Sequence, residues 1–264
     1  MYHIGFGISD LPTPAPTFAF LSGDPDRAAA VALQHLERPT KLSDHRGLTS
    51  YYGWLGEHAV LSCTSGMGGP STTIVVNELA QVGVRSIIRI GTTGSIQPHV
   101  VVGDVIITKA SLSRHGAAND IAPPEYPAAA DPFLTVTLAD AAGALGVAFH
   151  VGVTASTDSF FEGQERTQSS ANPHLLRRLQ GVTEEYQHLG ILNYEMESGT
   201  LLKMCSVYGI AAGCVLAVVA QRTVGETVQL DMKDAAVNNT ISVAVEGARR
   251  WLHRSFPVTS SARV

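Results

Sequence analysis

The sequence has few cysteines, few charged residues and no long apolar run. The three cysteines, Cys63, Cys205 and Cys214, form no C-x-x-C pair, which argues against a disulfide scaffold or a structural zinc site. The longest apolar stretch, residues 210–220, is shorter than the roughly 18 residues of a membrane-spanning helix. The first residues lack a basic region followed by an apolar core, so no signal peptide is predicted. We therefore expect a cytoplasmic protein that does not bind membranes.

An excess of positive charge is also absent. Eighteen Lys and Arg against 23 Asp and Glu give a net charge of −5, which argues against a nucleic-acid-binding protein. With 45% hydrophobic and 16% charged residues, the chain has the composition of a folded protein. The Ala- and Pro-rich stretch 119–131 is short and indicates a loop rather than a domain boundary. A single domain over residues 1–264 is predicted, with an extended segment at 1–16 and a loose tail at 257–264.

Apolar runs alternate with helical patterns along the chain. Strands are predicted at residues 18–21, 58–64, 86–90, 104–108, 147–153 and 213–220. Helices are predicted at residues 70–82, 132–145, 196–207 and 232–252. Continuous apolar runs suit strands that are buried on both faces. The alternation therefore predicts an α/β fold with a mainly parallel sheet covered by helices.

Arginines and small polar residues follow the predicted strands, where α/β sheets bind ligands. In the segment G-D-P-D-R, Gly23 lets the backbone approach a ligand and Arg27 can reach an anion. Arg89 lies inside an apolar strand, and a buried arginine is costly unless it pairs with an acid or binds an anion. The G-T-T-G run after it offers N–H groups and hydroxyls. A helix-capping turn at Arg27 and an internal carboxylate partner for Arg89 remain the alternatives.

Two further segments carry candidate binding groups. Residues 66–71, G-M-G-G-P-S, lack the third glycine of G-x-G-x-x-G and match neither the P-loop nor G-x-S-x-G. They predict a tight strand-to-helix turn with N–H groups facing a ligand. Phe160 and Phe161 precede Gln164 and Arg166, so aromatic stacking and edge hydrogen bonds could hold a flat polar ring. A surface cap over the core is the alternative for these aromatics.

Glu195 and Glu197 flank Met196 where a strand meets a helix. Two residues apart in an extended chain, the two carboxylates point the same way. Acids at a helix start also complement the helix dipole, so the pair alone does not establish a site. The ten histidines form no H-E-x-x-H motif and no pairing with cysteine, so no metal site is predicted.

Taken together, the motifs G-D-P-D-R, H-R, G-G-P-S, R-I-G-T-T-G, G-Q-E-R and E-M-E-S resemble the nucleoside phosphorylase-I family, and within it the bacterial uridine phosphorylases. The resemblance extends from His3 to about Leu252. It implies one α/β domain, in which helices flank a mixed, mostly parallel twisted sheet that is partly closed into a barrel. It also implies reversible phosphorolysis of uridine to uracil and ribose 1-phosphate in pyrimidine salvage, with deoxyuridine or thymidine as further candidate substrates.

The resemblance assigns roles to residues of these motifs. The implied phosphate site contains Gly23, Arg27, Arg46, Arg89 and Thr92. The implied ribose site contains His3, Thr92, Glu195, Met196 and Glu197. The implied base site contains Thr93, Gly94, Phe160, Gln164, Arg166, Val219, Ala220 and Arg222. The implied catalytic residues are Arg166, Gln164, Arg89 and Glu197.

These roles agree with the chemistry of phosphorolysis. The planar fork of arginine matches phosphate oxygens and keeps its charge. Glu197 accepts from the ribose hydroxyls and so favours a cation-like sugar in the transition state. Negative charge grows on the departing base, where Arg166 stabilises it more strongly than in the ground state. Phosphate is a co-substrate, and no cofactor is implied.

The family also implies association. Arg46 and His3 come from the neighbouring subunit in these enzymes, so the dimer is the smallest competent unit and a hexamer of three dimers is expected. Gly47 departs from the family, because bacterial relatives carry a glutamate there that helps hold a monovalent cation. This departure argues against a potassium site.

Two departures concern the base pocket, and three other functions remain open. Phe161 stands where a tyrosine is common, and Val219 and Ala220 are smaller than the usual pair, so a roomier pocket that accepts a 5-methyl group is expected.

The alternative functions differ in the residues that they require. A purine phosphorylase usually has an aspartate near residues 220–223, which this chain lacks. A nucleosidase has little use for three convergent arginines. A non-catalytic nucleoside-binding protein is the alternative of a different class.

Overall fold

In the part of the chain that the structure describes, nine strands form one continuous sheet that closes on itself at one end. The computed structural model describes residues 1–223, 225 and 230–254. The strands are β1 (Phe18–Ser22), β2 (Glu37–Ser43), β3 (Ser50–Leu55), β4 (His58–Thr64), β5 (Ser86–Ser95), β6 (Val105–Arg114), β7 (Phe149–Thr157), β8 (Ile191–Glu195) and β9 (Ala211–Gln221). The α-helices are α1 (Pro25–His35), α2 (Gly69–Gln81), α3 (Gly116–Asn119), α4 (Pro132–Ala144), α5 (Val182–His188), α6 (Ser198–Tyr208) and α7 (Leu230–Leu252).

The strand order explains the closure. The strands lie in the order β2-β3-β4-β1-β5-β8-β7-β6-β9, and β9 pairs back onto β5. Five strands, β5, β8, β7, β6 and β9, therefore form a closed ring, and β1 to β4 extend from it as an open sheet. Pairs such as β1–β5 and β5–β9 are parallel, whereas β2–β3, β3–β4, β5–β8 and β6–β9 are antiparallel. The prediction of a mixed, partly closed α/β sheet is confirmed.

The two faces of the open sheet carry separate cores. Along β1, Ala19 and Leu21 join one buried apolar cluster, which α2 and α6 complete. Phe18 and Phe20 join another, together with residues of α1, α4 and α7. The alternation follows from the two-residue period of a strand. Burial on both faces explains why β1 reads as a continuous apolar run.

Several elements differ from the sequence prediction. β2 was not predicted, because this edge strand is exposed along most of its length and lacks an apolar run. β3 was not predicted either. β5 continues through Gly91 to Ser95, so the G-T-T-G run lies in the strand rather than in a loop after it. α6 begins at Ser198 rather than Met196, because Glu197 keeps non-helical backbone angles at its N-cap.

The N-terminal segment is folded rather than simply extended. A 3-10 helix spans Ile8–Asp10, and the side chains of Ile4 and Phe6 are buried in the core. The Glu78 carboxylate of α2 accepts hydrogen bonds from the backbone N–H groups of His3 and Ile4. The segment predicted to be extended at 1–16 therefore contains a 3-10 turn, and apolar burial together with this carboxylate holds its start against α2. The predicted tail at 257–264 lies outside the described residues.

Candidate functional site

A cavity of about 640 Å³ lies where the carboxyl ends of β1, β4, β5, β8 and β9 meet. Strand ends supply its functional side chains because parallel strands bring their following loops to one edge of a sheet. The cavity contains every predicted site residue except His3 and Arg222. Residues as far apart in sequence as Arg27 and Ala220, which are separated by 193 positions, thereby meet in one place.

Arg89 is held by two carboxylates at the floor of the cavity. Its Nε donates to Oε2 of Glu195 at 3.2 Å, and its Nη2 donates to Oε2 of Glu197. Burial lowers the pKa of Arg89, but the two glutamates outweigh that effect and raise it, so the guanidinium stays charged. The internal carboxylate partner for Arg89, which was one of the alternatives drawn from the sequence, is thus present. Its buried Nη1 has no hydrogen-bond partner among the described residues.

Arg27 brings a second guanidinium to the same end. Its Nη1 donates to the carbonyl of Ile90 at 3.2 Å, and Nη2 lies 3.7 Å from Oδ2 of Asp24. Burial lowers the pKa of Arg27, Asp24 opposes this, and the charge of Arg89 lowers it further. Its buried Nε has no partner within residues 1–223, 225 and 230–254. Two like charges at one wall stabilise an anion between them.

Glu195 is saturated by donors of its own chain. The hydroxyls of Ser156 and Ser198 donate to its Oε1 at 2.5 and 2.6 Å. Its Oε2 accepts from the backbone N–H groups of Glu197 and Ser198 and from Arg89. Burial acts to raise the pKa of Glu195, but Arg89 and these hydrogen bonds keep it below its usual value. The carboxylate therefore orients Arg89 and has its lone pairs occupied by groups of its own chain. Its ribose-binding role stays a prediction.

Glu197 keeps acceptor capacity toward the cavity. Its Oε1 accepts from the Gly68 N–H at 2.6 Å, and its Oε2 accepts from Arg89. Burial raises the pKa of Glu197, and Arg89 offsets this only in part. In the turn at 66–71, the Gly68 N–H thus faces a glutamate rather than a ligand. Glu197, with Met196 beside it, is the acidic residue that can accept from sugar hydroxyls.

Gln164 and Arg166 form the opposite end of the cavity. Both are buried, and Nε of Arg166 donates to Oε1 of Gln164 at 3.3 Å. The Arg166 guanidinium carbon lies 4.1 Å from the ring centroid of Phe160, as in a cation–π contact. Val219 and Ala220 of β9 lie against the same space. A flat ring with polar edges therefore finds stacking and hydrogen-bonding groups together here.

Two predicted residues lie outside the cavity. Arg222 donates from Nη1 to the carbonyl of Gln164 at 2.5 Å, so it supports the base end from behind. Its direct contact with the base stays a prediction. Nδ1 of His3 lies 2.8 Å from Oε1 of Glu78. Arg46 lines the cavity of its own chain, with its guanidinium carbon 5.8 Å from the Tyr2 ring centroid. The role of His3 and Arg46 in a neighbouring subunit's site stays a prediction.

The sequence did not reveal a buried polar network behind Glu195. Nε2 of His115 lies 3.2 Å from the Ser156 hydroxyl, and its Nδ1 lies 2.6 Å from the Thr200 hydroxyl. Since Ser156 gives its proton to Glu195, His115 must donate from Nε2. The sequence also did not indicate that Lys233 of α7 lines the cavity. No local pattern distinguishes these residues from ordinary core and helix positions.

The described residues lack two other kinds of functional feature. They contain no group of three or more His, Cys, Asp and Glu side chains that could hold a metal ion. None of the helices they form is long and apolar enough to cross a membrane.

Comparisons with known proteins agree with this geometry. A sequence profile described as the Phosphorylase superfamily matches residues 17–250. A relative from Salmonella typhimurium named uridine phosphorylase is 44% identical over 252 residues, which are 96% of this chain and 98% of the relative. Uridine phosphorylase from Escherichia coli shows 44% identity over the same shares. Uridine phosphorylase from Haemophilus influenzae shows 43% identity over 89% of this chain and 93% of the relative.

The matched region contains the strands and loops that carry both ends of the cavity. Identity at this level over nearly the full length of both proteins exceeds what a shared fold alone requires. The chain belongs to the phosphorylase superfamily and, within it, to the family of the uridine phosphorylases.

Proposed function

We propose that this chain catalyses the reversible phosphorolysis of uridine to uracil and ribose 1-phosphate. The observation that carries this is the pair of buried arginines, Arg27 and Arg89, each with an N–H that no described group accepts, at one end of the cavity. The Gln164–Arg166 pair at the other end supplies hydrogen-bonding groups that can recognise a pyrimidine. The relatives are named uridine phosphorylases, which agrees with a phosphate site at one end of the cavity and a pyrimidine site at the other.

Phosphate lies between the two guanidiniums. Nη1 of Arg89 and Nε of Arg27 donate to its oxygens, and each charge-assisted bond contributes roughly 1.5–3 kcal/mol. The backbone N–H of Gly23 and the hydroxyl of Thr92 complete the cradle. Because Glu195 and Glu197 already hold Arg89 in place, little reorganisation accompanies the binding of phosphate.

The sugar and the base complete the reaction. Glu197 accepts from the ribose hydroxyls while phosphate attacks the anomeric carbon and the glycosidic bond breaks. The bonding electrons move onto the uracil ring, whose growing negative charge faces Arg166 and Gln164. These donors act more strongly on the transition state than on uridine, and so they accelerate the chemical step. No covalent intermediate on the protein is required.

The direct test follows uracil release from uridine by absorbance, with and without phosphate, with inosine in parallel. Phosphate-dependent release from uridine, with inosine left intact, is expected. Release that does not need phosphate would identify a nucleosidase and contradict the arginine clamp. Turnover of inosine in place of uridine would indicate a purine enzyme, and binding of uridine without turnover would indicate a non-catalytic binding protein.

Thymidine and deoxyuridine are proposed as further substrates. The small side chains of Val219 and Ala220 line the base end and leave room for a 5-methyl group. We expect thymidine to be cleaved with a kcat/KM within about 200-fold of deoxyuridine, since one methyl group in an apolar pocket changes binding by roughly 1–3 kcal/mol. Val219→Ile with Ala220→Val should lower thymidine turnover selectively.

A shared active site in a hexamer of three dimers is proposed as the assembly. His3 does not line the cavity of its own chain, which supports a role for it in a neighbouring site. Size determination by light scattering tests the hexamer. Mixing an Arg166→Ala chain with a His3→Ala chain tests the sharing, because mixed dimers regain one intact site. Activity that does not recover on mixing would contradict it.

Independence of monovalent cations is proposed as well. Gly47 has no side chain to coordinate an ion, and its φ of 77° lies in the left-handed region that favours glycine. Equal activity in potassium and tetramethylammonium salts at one ionic strength is expected. A requirement for potassium would overturn this proposal.

A further inference from the structure

Glu165 lies between the two base-reading residues and faces away from them. Gln164 and Arg166 line the cavity, whereas Glu165 does not. Its Oε1 accepts from the backbone N–H of Gly181 at 2.5 Å, and its Oε2 accepts from that of Thr183 at 2.9 Å. The Glu165 carboxylate therefore ties the base-reading loop to the first turn of α5, and it satisfies two N–H groups that the helix leaves open.

The backbone at Glu165 also requires an explanation. Its φ is 53°, in the left-handed region that is unfavourable for a residue with a side chain. The turn is closed by hydrogen bonds from Glu165 N–H to the Glu162 carbonyl and from Arg166 N–H to the Phe161 carbonyl. A conformation of this kind persists where surrounding contacts determine it, and the two bonds to α5 supply such contacts.

A second anchor holds the same loop from the other side. Arg222 donates to the carbonyl of Gln164 at 2.5 Å and to that of Glu165 at 3.3 Å. α5 is itself fixed, because its Val182 and Tyr186 are buried in an apolar cluster with Tyr194 of β8. The loop is thus suspended between α5 and the end of β9, and Glu165 provides its side-chain link to α5.

We propose that Glu165 is a positioning residue for base recognition. By fixing the loop to α5, its carboxylate sets the direction in which Gln164 and Arg166 enter the cavity, without touching the substrate itself. This inference rests on the proposed function, since the base it positions them for is uracil. A site held about 1 Å too loosely can lose a large part of its rate, so a positioning contact is measurable.

The test uses three substitutions and a matched control. Glu165→Ala removes the carboxylate and keeps the unfavourable backbone, whereas Glu165→Gly removes the carboxylate and relieves the backbone. Glu165→Gln keeps one oxygen acceptor. Glu184→Gln changes an exposed acid in the first turn of the same helix. Uridine and phosphate KM, kcat and the thermal midpoint are measured for each full-length variant.

We expect both Glu165→Ala and Glu165→Gly to raise the uridine KM about tenfold while the phosphate KM changes less than twofold. Glu165→Gln, which can accept from only one of the two N–H groups, recovers only part of the loss, and Glu184→Gln behaves as the wild type. A Glu165→Gly variant with wild-type uridine KM would overturn the proposal, because the residue would then serve only the backbone turn. A parallel rise of both KM values would also overturn it, because it would indicate general loosening of the site.

Amide hydrogen exchange separates this inference from the proposed function. Without any substrate, Arg166 N–H should exchange at least tenfold faster in Glu165→Ala and Glu165→Gly than in the wild type, and at the wild-type rate in Glu184→Gln. Unchanged exchange would contradict the positioning role even in an active enzyme. If the wild type does not cleave uridine but Arg166 N–H still exchanges faster in the Glu165 variants than in the wild type, only the proposed substrate would be contradicted.

Discussion

The phosphate end and the base end of the cavity hold their functional groups in different ways. At the phosphate end, Arg89 and Glu195 stand on barrel strands, and Glu197 is the second residue after one. The three lock one another through buried charged hydrogen bonds. At the base end, Gln164 and Arg166 stand on a loop after β7 that is held from behind. The phosphate end is therefore rigid, and removal of one of its charged side chains should destabilise the fold. Substitution of a side chain at the base end should destabilise the fold less.

The largest expected effect comes from Arg89→Lys. A lysine keeps the charge, but it cannot donate along three fixed directions to Glu195, Glu197 and phosphate. We expect kcat/KM to fall about 1000-fold. Stability should fall too, since a carboxylate that loses its partner in a buried site costs about 3–5 kcal/mol. Steady-state kinetics and urea unfolding measure both, with the exposed Arg178→Lys as control. Retention of a tenth of the activity would contradict the rigid-end description.

The second effect tests the base end. Arg166→Ala should lower kcat by about 100-fold, since it removes a donor that faces charge developing on the base. In contrast to Arg89→Lys, the thermal midpoint should change by less than about 3 °C, because the residue stands on a loop outside the barrel. Kinetics and a melting curve measure the two quantities. A loss of stability as large as that of Arg89→Lys would remove the distinction between the two ends.

A pH effect is expected at the phosphate end. Burial raises the pKa of Glu197 above its ordinary value near 4.5. As the pH falls through that raised pKa, the carboxylate is protonated and loses its charge. The affinity for uridine should therefore begin to fall at a higher pH than it would if Glu197 had the pKa of an ordinary glutamate. Calorimetric titration of uridine without phosphate measures this. Glu197→Gln should abolish the pH dependence, and its persistence in that variant would assign it to another group.

Ionisation of Glu195 and ionisation of Glu197 change the free energy of unfolding in opposite directions. The folded protein binds the Glu197 proton more tightly than the unfolded chain does, so ionisation of Glu197 opposes folding as the pH rises through its raised pKa. The pKa of Glu195 is lowered, so its contribution to stability is present above the unfolded value and is lost as the pH falls through the folded one.

The smallest expected effect concerns the support behind Glu195. Ser156→Ala removes one donor to Glu195 and leaves Nε2 of His115 without that acceptor, at a cost of about 1–3 kcal/mol. We expect the phosphate KM to rise several-fold while the uridine KM changes little. The matched control is Ser113→Ala, since the buried Ser113 hydroxyl has no hydrogen-bond partner among the described residues. Equal losses in the two variants would show that the network does not orient Arg89.

Much of the candidate site could be predicted from short motifs. Gly23, Arg27, Arg89 and the Gln164–Arg166 pair lie in local patterns whose chemistry can be read without the fold, and all of them line one cavity. The role of Glu195 could not be read in this way. Its donors come from residues 39 to 106 positions away as well as from its own turn, so only the folded chain shows that its lone pairs are used.

The sequence by itself determined the alternation of strands and helices, the family, and the residue types that can bind phosphate and a pyrimidine. These features depend on local periodicity and on motifs of a few residues. The tertiary structure decided that β9 closes the barrel onto β5, that Arg222 supports the base end from behind, and that Glu165 points to α5. Side-chain direction and hydrogen-bond saturation depend on contacts between distant segments, and these exist only after the chain has folded.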